Sequence, residues 1–319
     1  MNENPSFPSI SVVIPTLDRW YTLPRTLDSV LNQTLPPDEI IVVDNGSTDG
    51  TSSMLKTDFP GVICIQEAKL GVSAARNKGI LFASGVWIAL LDSDDTWHPS
   101  KLEEQLKANR NNPGHRLIHT DEHWYKRGKR VNQLMKHKKR GGYIFKDCLK
   151  LCCISPSSAL IEKSLFQNIG QFDEDLPVCE DYDLWLRVSA QEPILYVDQP
   201  LTIKYGGHED QLSKRYWGMD RFRIKSLEKI LLEGHLNQVY KIAAQEILIS
   251  KLKVLIDGAI KRNNQAVIEE YSGKLENWEK TIIQNNRFQV ESVPWARVLL
   301  DAGALHWKLS QLPSARNIK

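Results

Sequence analysis

Hydrophobic positions in the first hundred residues form two alternating kinds of pattern. Short, continuous apolar runs predict four buried strands, at 10–15, 39–44, 62–66 and 86–91. Amphipathic segments between them predict helices at 22–33 and 71–83, and the turn residues at 45–50 lead into a third, short helix. Strand and helix alternating over short connections predict parallel βαβ units with right-handed crossovers, hence an α/β fold with a mostly parallel sheet flanked by helices.

Polar side chains follow three of these predicted strands. Thr16 and Asp18 come after the first strand, Asp44 ends the second, and residues 92–95 follow the fourth. The carboxyl ends of parallel strands meet at one edge of a sheet, where open α/β sheets bind their ligands. Helix capping would account for one or two of these groups, but three sets at one edge predict a ligand site.

The densest of these sets has three carboxylates within four residues, Asp92, Asp94 and Asp95. Side chains alternate along an extended chain, so we expect Asp92 and Asp94 on one side and Asp95 on the other. Converging carboxylates repel one another unless a cation lies between them. Mn²⁺ or Mg²⁺, which prefer oxygen ligands and often bind substrate phosphates, are the natural partners. The alternative is an Asp-rich turn before the helix that starts near Pro99.

Composition narrows the class of protein. The 319 residues are 25% charged with a formal net charge of +2, which argues against disorder and against nucleic acid as a partner. The five cysteines are odd in number and lack metal-like spacing, which is typical of a reducing compartment. The first ten residues show no signal-peptide pattern, and no apolar run has the length of a membrane span. We therefore expect a cytoplasmic protein.

A basic stretch, defined here as residues 126–140, contains eight Lys or Arg residues and no acid. One interpretation is a solvated loop or hairpin. The other is an electropositive patch for an anionic acceptor or for lipid headgroups, which would place the protein peripherally at the inner face of the membrane.

The remaining chain predicts further strands and a helical tail. A helix is expected at 101–109, a strand at 116–120, and a pair of short strands at 193–198 and 201–205. From about residue 216 the pattern changes to long helical periodicity, which predicts a C-terminal helical extension over 216–319. This extension could pack on the rest of the chain, form a homodimer, or contact a membrane surface.

Four blocks of sequence carry a family resemblance: ISVVIPTLDR, IIVVDNGSTDGT, GVSAARNKGI and WIALLDSDDTW. Their order and spacing resemble the nucleotide-binding half of a family-2 glycosyltransferase with the GT-A fold. Residues 166–173 resemble the family's GxFDE turn, and residues 179–187 resemble its ED motif and LWxR helix. The resemblance covers about residues 8–215 and implies one GT-A domain over 1–215, with a nucleotide-binding half at 8–100 and an acceptor half at 101–215.

The resemblance also implies a nucleotide-diphospho-sugar donor, a divalent metal ion and inversion at the anomeric carbon. Position by position, it assigns donor-binding roles to Thr16, Asp44, Arg76 and Asp92. Asp18 and Ser93 are further donor-binding candidates because they follow predicted strands at the same sheet edge. The resemblance assigns metal binding to Asp94 and, in a late loop, to His208. A bound cation suits this reaction because the diphosphate leaving group accumulates negative charge as the glycosidic bond breaks.

Direct displacement also needs a general base for the acceptor hydroxyl, and a carboxylate is suitable. Asp181 begins a predicted helix, whose N-terminus favours an ionised carboxylate. We therefore expect Asp181 to be the base, with Glu180 as the alternative and a helix-capping role as the competing interpretation. Asp183 and Arg187 are spaced as an i, i+4 surface pair.

Together these observations predict a metal-dependent, inverting glycosyltransferase of hexosyl or N-acetylhexosaminyl type. We expect it to move a sugar from a UDP-sugar to a glycan or lipid-linked acceptor in cell-surface polysaccharide synthesis. The alternative is a non-catalytic, nucleotide-sugar-binding scaffold subunit of a glycan assembly complex. The complete acidic set disfavours the scaffold, because binding alone would not require Asp181.

Overall fold

The computed structural model of the protein describes residues 7–207 and 215–291. The chain divides into two compact units, one up to Ile247 and the other from Leu248. The first unit therefore continues past residue 215, where the family motifs end. We propose that the GT-A domain itself ends near residue 215.

The first half of the sheet follows the predicted alternation of strand and helix. Its elements are β1 (Ile10–Thr16), α1 (Leu23–Leu31), β2 (Glu39–Asp44), α2 (Thr51–Asp58), β3 (Ile63–Gln66), α3 (Val72–Phe82) and β4 (Trp87–Leu90). Strand β1 pairs in parallel with β2 and with β4, and β2 pairs in parallel with β3. Every residue of β1 and β4 is buried, which explains why these strands read as continuous apolar runs.

Helix α3 lies directly on this sheet because one of its residues lacks a side chain. A Cβ atom at Gly79 would lie 2.4 Å from Cγ1 of Val13 and 3.0 Å from Cγ2 of Val43. These two valines belong to β1 and β2. The small residues of the GVSAARNKGI block thus permit the close approach that their pattern predicts.

The second half extends the same sheet through antiparallel pairs and one long parallel pair. Its elements are β5 (Thr96–Trp97), α4 (Lys101–Asn111), β6 (Leu117–Lys126), β7 (Lys129–Val131), α5 (Phe145–Lys150), β8 (Leu160–Glu162), α6 (Leu165–Ile169), α7 (Glu180–Ser189), β9 (Leu195–Gly206) and α8 (Asp220–Leu232). The strand order among the described residues is β3-β2-β1-β4-β8-β6-β9-β5, with β7 on β6. Strand β8 is antiparallel to β4 and β6, whereas β6 pairs in parallel with β9, so the sheet is mixed beyond β4.

Two predicted elements differ from the structure. The two short strands expected at 193–198 and 201–205 are one continuous strand, β9. The gap between the two predicted strands contains Pro200, which lies opposite Asp121, where the β6–β9 register shifts and the ladder is already irregular. Strand β6 also runs to Lys126 rather than ending at Thr120, so the basic stretch begins within a β6–β7 hairpin.

The predicted C-terminal helices are present as α9 (Gln238–Lys261) and α10 (Gln265–Glu291). In the second unit, Nζ of Lys253 lies 3.1 Å from Oε1 of Glu279 and links these two helices. Across the described ranges, no helix is both long enough and apolar enough to cross a bilayer. The segment expected after Pro294 lies outside the described residues.

Candidate active site

The loops after β1 and β2 are tied together by Asp18. Its backbone has φ 51°, and its Oδ1 accepts hydrogen bonds from the amides of Thr48 (2.6 Å) and Asp49 (3.2 Å). The Asp18 amide in turn donates to Oγ of Ser47 at 2.9 Å. Asp18 therefore shapes the NGSTDG loop, and its carboxylate points at this loop.

Thr16 and Asp44 lie side by side, as register partners at the ends of β1 and β2. Oδ1 of Asp44 accepts from the Ser47 amide at 2.8 Å, and Oδ2 accepts from Oγ of Ser52 at 2.5 Å and from Nε2 of Gln66 at 3.1 Å. Burial alone would raise the pKa of Asp44, but the hydrogen bonds from Ser47, Ser52 and Gln66 outweigh it and lower the pKa. Asp44 is thus held as an anion.

The hydroxyl of Thr16 is a buried polar atom at the same sheet edge. Thr16 is 3% exposed, and its Oγ1 has no hydrogen-bond partner among the described side chains and backbone. Buried hydroxyls without a partner are uncommon because desolvation costs free energy. A bound ligand that hydrogen-bonds Thr16 would satisfy it.

The acidic segment after β4 is a turn rather than an extended chain. The amide of Asp95 donates to the carbonyl of Asp92 at 3.0 Å. The expected alternation, with Asp92 and Asp94 on one side, is therefore wrong, because alternation holds only for extended backbone. The turn is held from α1, where Oγ1 of Thr26 lies 3.0 Å from the carbonyl of Ser93 and 2.8 Å from that of Asp95.

Each carboxylate of this turn meets a different cation of the protein. The shortest ion pairs are Asp94 with Arg19 at 2.9 Å, Asp92 with Arg76 at 2.7 Å and Asp95 with Lys204 at 3.2 Å. The pattern of the sequence did not indicate Lys204, which also lies 3.9 Å from Oδ2 of Asp92. The sequence feature that could have identified Lys204 is its position as the single cation in the otherwise uncharged strand segment LTIKY.

Asp95 anchors the turn to the second half of the sheet. It accepts hydrogen bonds from Oγ of Ser157 at 2.6 Å and from the Tyr205 amide at 3.1 Å. Oγ of Ser157 also accepts from the amide of Asp92 at 3.1 Å. Burial raises the pKa of Asp95 to about 7 against the opposing charge of Lys204. Asp95 and Ser157 therefore position the turn, a role that its sequence pattern does not reveal.

Arg76 joins the two acidic motifs of the chain. Its Nη2 donates to Oδ1 of Asp92 at 2.7 Å, and its Nη1 donates to Oε1 of Glu180 at 2.5 Å. The side chain is 4% exposed, with the guanidinium 5.2 Å from the Phe172 ring centre. Burial opposes the charge of Arg76, but the two carboxylates outweigh burial and raise its pKa. One buried cation thus connects the turn after β4 with the start of α7.

The two acidic residues that begin α7 differ in environment. Glu180 is 5% exposed and paired with Arg76, whereas Asp181 is partly exposed. Burial raises the pKa of Glu180 to about 7, although Arg76 opposes the rise. Asp181 accepts a hydrogen bond from the Tyr182 amide at 2.7 Å and one from Sγ of Cys152 at 3.0 Å. Of the two residues, Asp181 is the more exposed.

The GxFDE turn is fastened to the same region. Nδ2 of Asn77, the residue after Arg76, donates to the carbonyl of Phe172 and to Oε1 of Glu174, both at 2.9 Å. The expected Asp183–Arg187 pair is present at 2.8 Å, but both side chains are buried rather than at the surface. These contacts hold α3 and α7 in place around Arg76.

The described carboxylates provide few ligands for a metal ion. In the ranges 7–207 and 215–291, no three His, Cys, Asp or Glu residues lie close enough together to hold one. The predicted ligand His208 lies outside these ranges. Asp94 is partly exposed and offers hard oxygen ligands, as Mn²⁺ and Mg²⁺ prefer. Its side chain fits an ion whose other ligands are diphosphate and water, in competition with Arg19.

The basic stretch combines exposed cations with one buried cation. Seven of its eight Lys or Arg residues are exposed. The eighth, Lys139, is 6% exposed, lies 3.2 Å from Oε1 of Glu122 and donates to the carbonyl of Cys153 at 3.0 Å. The exposed side chains Leu134, Met135 and Tyr143 lie in or beside the stretch.

Comparison with known proteins places this geometry in a family. The family model "Glycosyl transferase family 2" matches residues 11–170. An uncharacterized glycosyltransferase of Rickettsia typhi is 29% identical over 296 residues, which cover 89% of each chain. A Bacillus subtilis glycosyltransferase, TuaG, named provisionally for teichuronic acid biosynthesis, is 40% identical over 104 residues, 31% of this chain and 41% of TuaG.

A crystal structure of S. aureus TarS 1-349 in complex with UDP-GlcNAc is similar in fold. Its TM-score is 0.63 at 20% identity, over 76% of this chain and 71% of TarS 1-349. Two other Rickettsia relatives are longer proteins, and the matched part of this chain spans about a third of their length (32% and 31%).

The mixed sheet, the acidic turn after β4 and the family match all support the same assignment. The chain belongs to glycosyltransferase family 2 and has the GT-A fold.

Proposed function

We propose that the protein is an inverting glycosyltransferase that moves a sugar from a nucleotide-diphospho-sugar, with UDP as the nucleotide, to a hydroxyl of a glycan or lipid-linked acceptor. We infer a hexosyl or N-acetylhexosaminyl donor and a role in cell-surface polysaccharide synthesis. The UDP-GlcNAc bound to TarS and the name of TuaG support this choice of donor class and pathway type.

The observation that carries the proposal is the bridge made by Arg76. It holds Asp92, in the donor motif, and Glu180, beside the base candidate, on one guanidinium group. A protein that only bound the donor would have no need to fix the start of α7 against the donor motif. Asp181 is next to Glu180 and partly exposed, which supports the proposal that it meets the acceptor hydroxyl.

In the proposed reaction, Asp181 accepts the proton of the acceptor hydroxyl as its oxygen attacks the anomeric carbon. A bond from this oxygen to the anomeric carbon forms while the bond from that carbon to the diphosphate oxygen breaks. The electron pair leaves with the nucleoside diphosphate. Attack opposite to the leaving group inverts the configuration of the anomeric carbon.

Residues at the ends of β1, β2 and β4 are proposed to bind the donor. Thr16 would use its unpaired hydroxyl, and Asp44 and Asp92 would use carboxylate oxygens. Asp18 and Arg76 would act by holding the surrounding loops, and Ser93 by its place in the turn. A Mn²⁺ or Mg²⁺ ion, held by Asp94 and His208, would stabilise the negative charge of the leaving diphosphate.

Donor binding is tested by thermal unfolding with UDP-, GDP-, CMP- and dTDP-sugars, each with and without Mn²⁺. A ligand that binds only the native state stabilises it by about 2.7 kcal/mol at a hundredfold excess over Kd. We expect the largest rise in Tm with a UDP-sugar and Mn²⁺. A rise with another nucleotide would reassign the donor, and a rise that is independent of metal would remove the metal from the proposal.

The base is tested with Asp181→Asn. We expect kcat to fall by roughly 10²- to 10⁴-fold, the usual contribution of general base catalysis, while the donor-induced rise in Tm is retained. Asp94→Asn is the matched comparison, because it should abolish the Mn²⁺-dependent part of donor binding. Turnover retained by Asp181→Asn would move the base to Glu180 or to another group.

The second candidate function is a non-catalytic nucleotide-sugar-binding scaffold subunit. It predicts the same thermal shifts but no sugar transfer and no hydrolysis of the donor. Radiolabelled donor, incubated with extracted glycan and lipid-linked acceptors, separates the two functions. Attachment to a membrane surface through the basic stretch and homodimerisation through the C-terminal helices are further proposals.

A further inference from the structure

Both carboxylate oxygens of Asp181 are held by hydrogen-bond donors. Oδ1 accepts from the amide of Tyr182 at 2.7 Å, and Oδ2 accepts from Sγ of Cys152 at 3.0 Å. Tyr182 is the next residue along the chain, so its contact is local. Cys152 lies 29 residues away, in the segment after α5, so the second contact is tertiary. The orientation of Asp181 thus depends on where the fold places Cys152.

The thiol of Cys152 keeps its proton in this environment. Burial raises its pKa well above the ordinary value, and the negative charge of Asp181 raises it further. A protonated thiol is a hydrogen-bond donor and a poor nucleophile. This disfavours a reactive or redox-sensing cysteine and supports a thiol that donates to a neighbouring anion.

The single thiol proton has two acceptors within reach. Sγ lies 3.0 Å from Oδ2 of Asp181 and 3.2 Å from the carbonyl oxygen of Ile154. A donor bonds more strongly to an ionised acceptor than to a neutral one. The thiol therefore donates to Asp181 when the carboxylate is charged and can turn to Ile154 when it is not.

We propose that Cys152 is a positioning residue for the general base, which holds the ionised Asp181 carboxylate in place and releases it when Asp181 takes the acceptor proton. This inference rests on the proposed function of Asp181. Before transfer, the thiol donates to Oδ2 and fixes the plane of the carboxylate. After transfer, rotation about the Cβ–Sγ bond gives the thiol proton to the Ile154 carbonyl.

The device keeps polar groups paired in both protonation states of the base. A donor with a fixed direction, such as a backbone amide, would be unfavourable beside the protonated carboxyl group. The hydrogen of that donor would face the hydrogen that Asp181 has gained, and the two would repel each other. A thiol avoids this opposition, since Sγ is also a weak acceptor. Cys152 therefore acts on the catalytic step and leaves substrate affinity almost unchanged.

The test compares Cys152→Ala, which removes the donor, with Cys152→Ser, which keeps one. For Cys152→Ala we expect kcat to fall on the order of tenfold, with KM for donor and acceptor within about twofold of wild type. Cys152→Ser should recover kcat to within about threefold. The matched control is Cys153→Ala, which should keep wild-type kcat. In the wild type, Sγ of Cys153 lies 3.5 Å from the carbonyl oxygen of Leu151.

Three results would overturn the inference: kcat of Cys152→Ala within twofold of wild type, no recovery by Cys152→Ser, or a change in KM rather than in kcat. If Cys152→Ala fails to fold, as measured by circular dichroism, a folded but inactive Cys152→Ser would still overturn the inference. The Asp181→Asn variant separates the two proposals. Turnover retained by Asp181→Asn removes the base, whereas an inactive Asp181→Asn with an unaffected Cys152→Ala removes only the role of Cys152.

Discussion

At the scale of single residues, the site is organised by cations that neutralise carboxylates one at a time. Arg76 is the most constrained of them, with two short ion pairs and almost no exposure. Sequence resemblance placed Arg76 near the nucleotide but gave no sign that it pairs with Glu180. The partners are 16 and 104 residues away, and such separations leave no local pattern to read.

Arg76→Lys should reduce both stability and activity. An ammonium group cannot reach two carboxylates as a guanidinium does, so one buried carboxylate loses its partner. We expect the free energy of unfolding to fall by about 2–3 kcal/mol in urea titrations and kcat/KM to fall at least about tenfold. The exposed Arg110→Lys is the control. If Arg76→Lys changed only the KM for the donor, Arg76 would be a nucleotide contact instead of a bridge.

His119 predicts how stability depends on pH. Its buried ring is difficult to protonate, because burial and the charge of Lys139 lower its pKa from an ordinary 6.5 to about 3. Below pH 6.5 the unfolded chain binds a proton at His119 that the folded protein does not bind. The free energy of unfolding therefore decreases as pH falls from 6.5 towards 3. His119→Gln removes the titrating group and keeps a donor for the Arg140 carbonyl, 2.7 Å from Nε2 in the wild type.

The measurement is urea unfolding of wild type and His119→Gln at pH 7 and pH 5. Between these values the wild type should lose about 1–2 kcal/mol relative to the variant. Equal losses in the two proteins would mean that His119 is protonated in the folded state, against its burial.

At the scale of elements, the strands and helices of the first half lie within one or two residues of their predicted bounds. Continuous apolar runs identified β1, β2 and β4 because both faces of these strands are buried. Tertiary contacts changed other elements. The turn at 92–95 is held by Thr26 and Ser157, and β9 continues through Pro200 because the β6–β9 ladder shifts there.

Gly79→Ala should destabilise the first unit. Alanine is the better helix former by about 1 kcal/mol, but its methyl group would lie 2.4 Å from Val13. Overpacking of this kind costs about 1–3 kcal/mol, so we expect a lower Tm in a calorimetric scan. Gly273→Ala is the matched control, because nothing lies within 4 Å of its added methyl group, and it should raise Tm slightly. An increase in both variants would show that α3 can shift away from the sheet.

At the scale of the whole molecule, charge is unevenly distributed. The formal net charge is only +2, yet seven exposed cations occur within the basic stretch. Exposed Leu134 (62%) and Met135 (82%) lie between them. Cations interspersed with exposed apolar side chains suit an anionic lipid surface, where each basic residue contributes about 1 kcal/mol.

Vesicle binding tests this surface. We expect the full chain to sediment with phosphatidylglycerol vesicles and not with phosphatidylcholine vesicles, and to be released as salt concentration rises. Replacing Lys126 and Lys129 with Gln should weaken binding about thirtyfold. The same replacement at Lys56 and Lys78, which are exposed on α2 and α3, is the control. Equal weakening by both pairs would indicate a general charge effect without a defined surface.

The Arg76 bridge also limits how members of this family could exchange parts. Arg76 lies in the proposed nucleotide-binding half, whereas its partner Glu180 lies in the proposed acceptor half. A chimera joined anywhere between residues 92 and 180 would take the arginine from one parent and the glutamate from the other. Unless both parents share this pair, the hybrid would bury a charge without its counterion, so donor and acceptor specificity would be difficult to recombine freely.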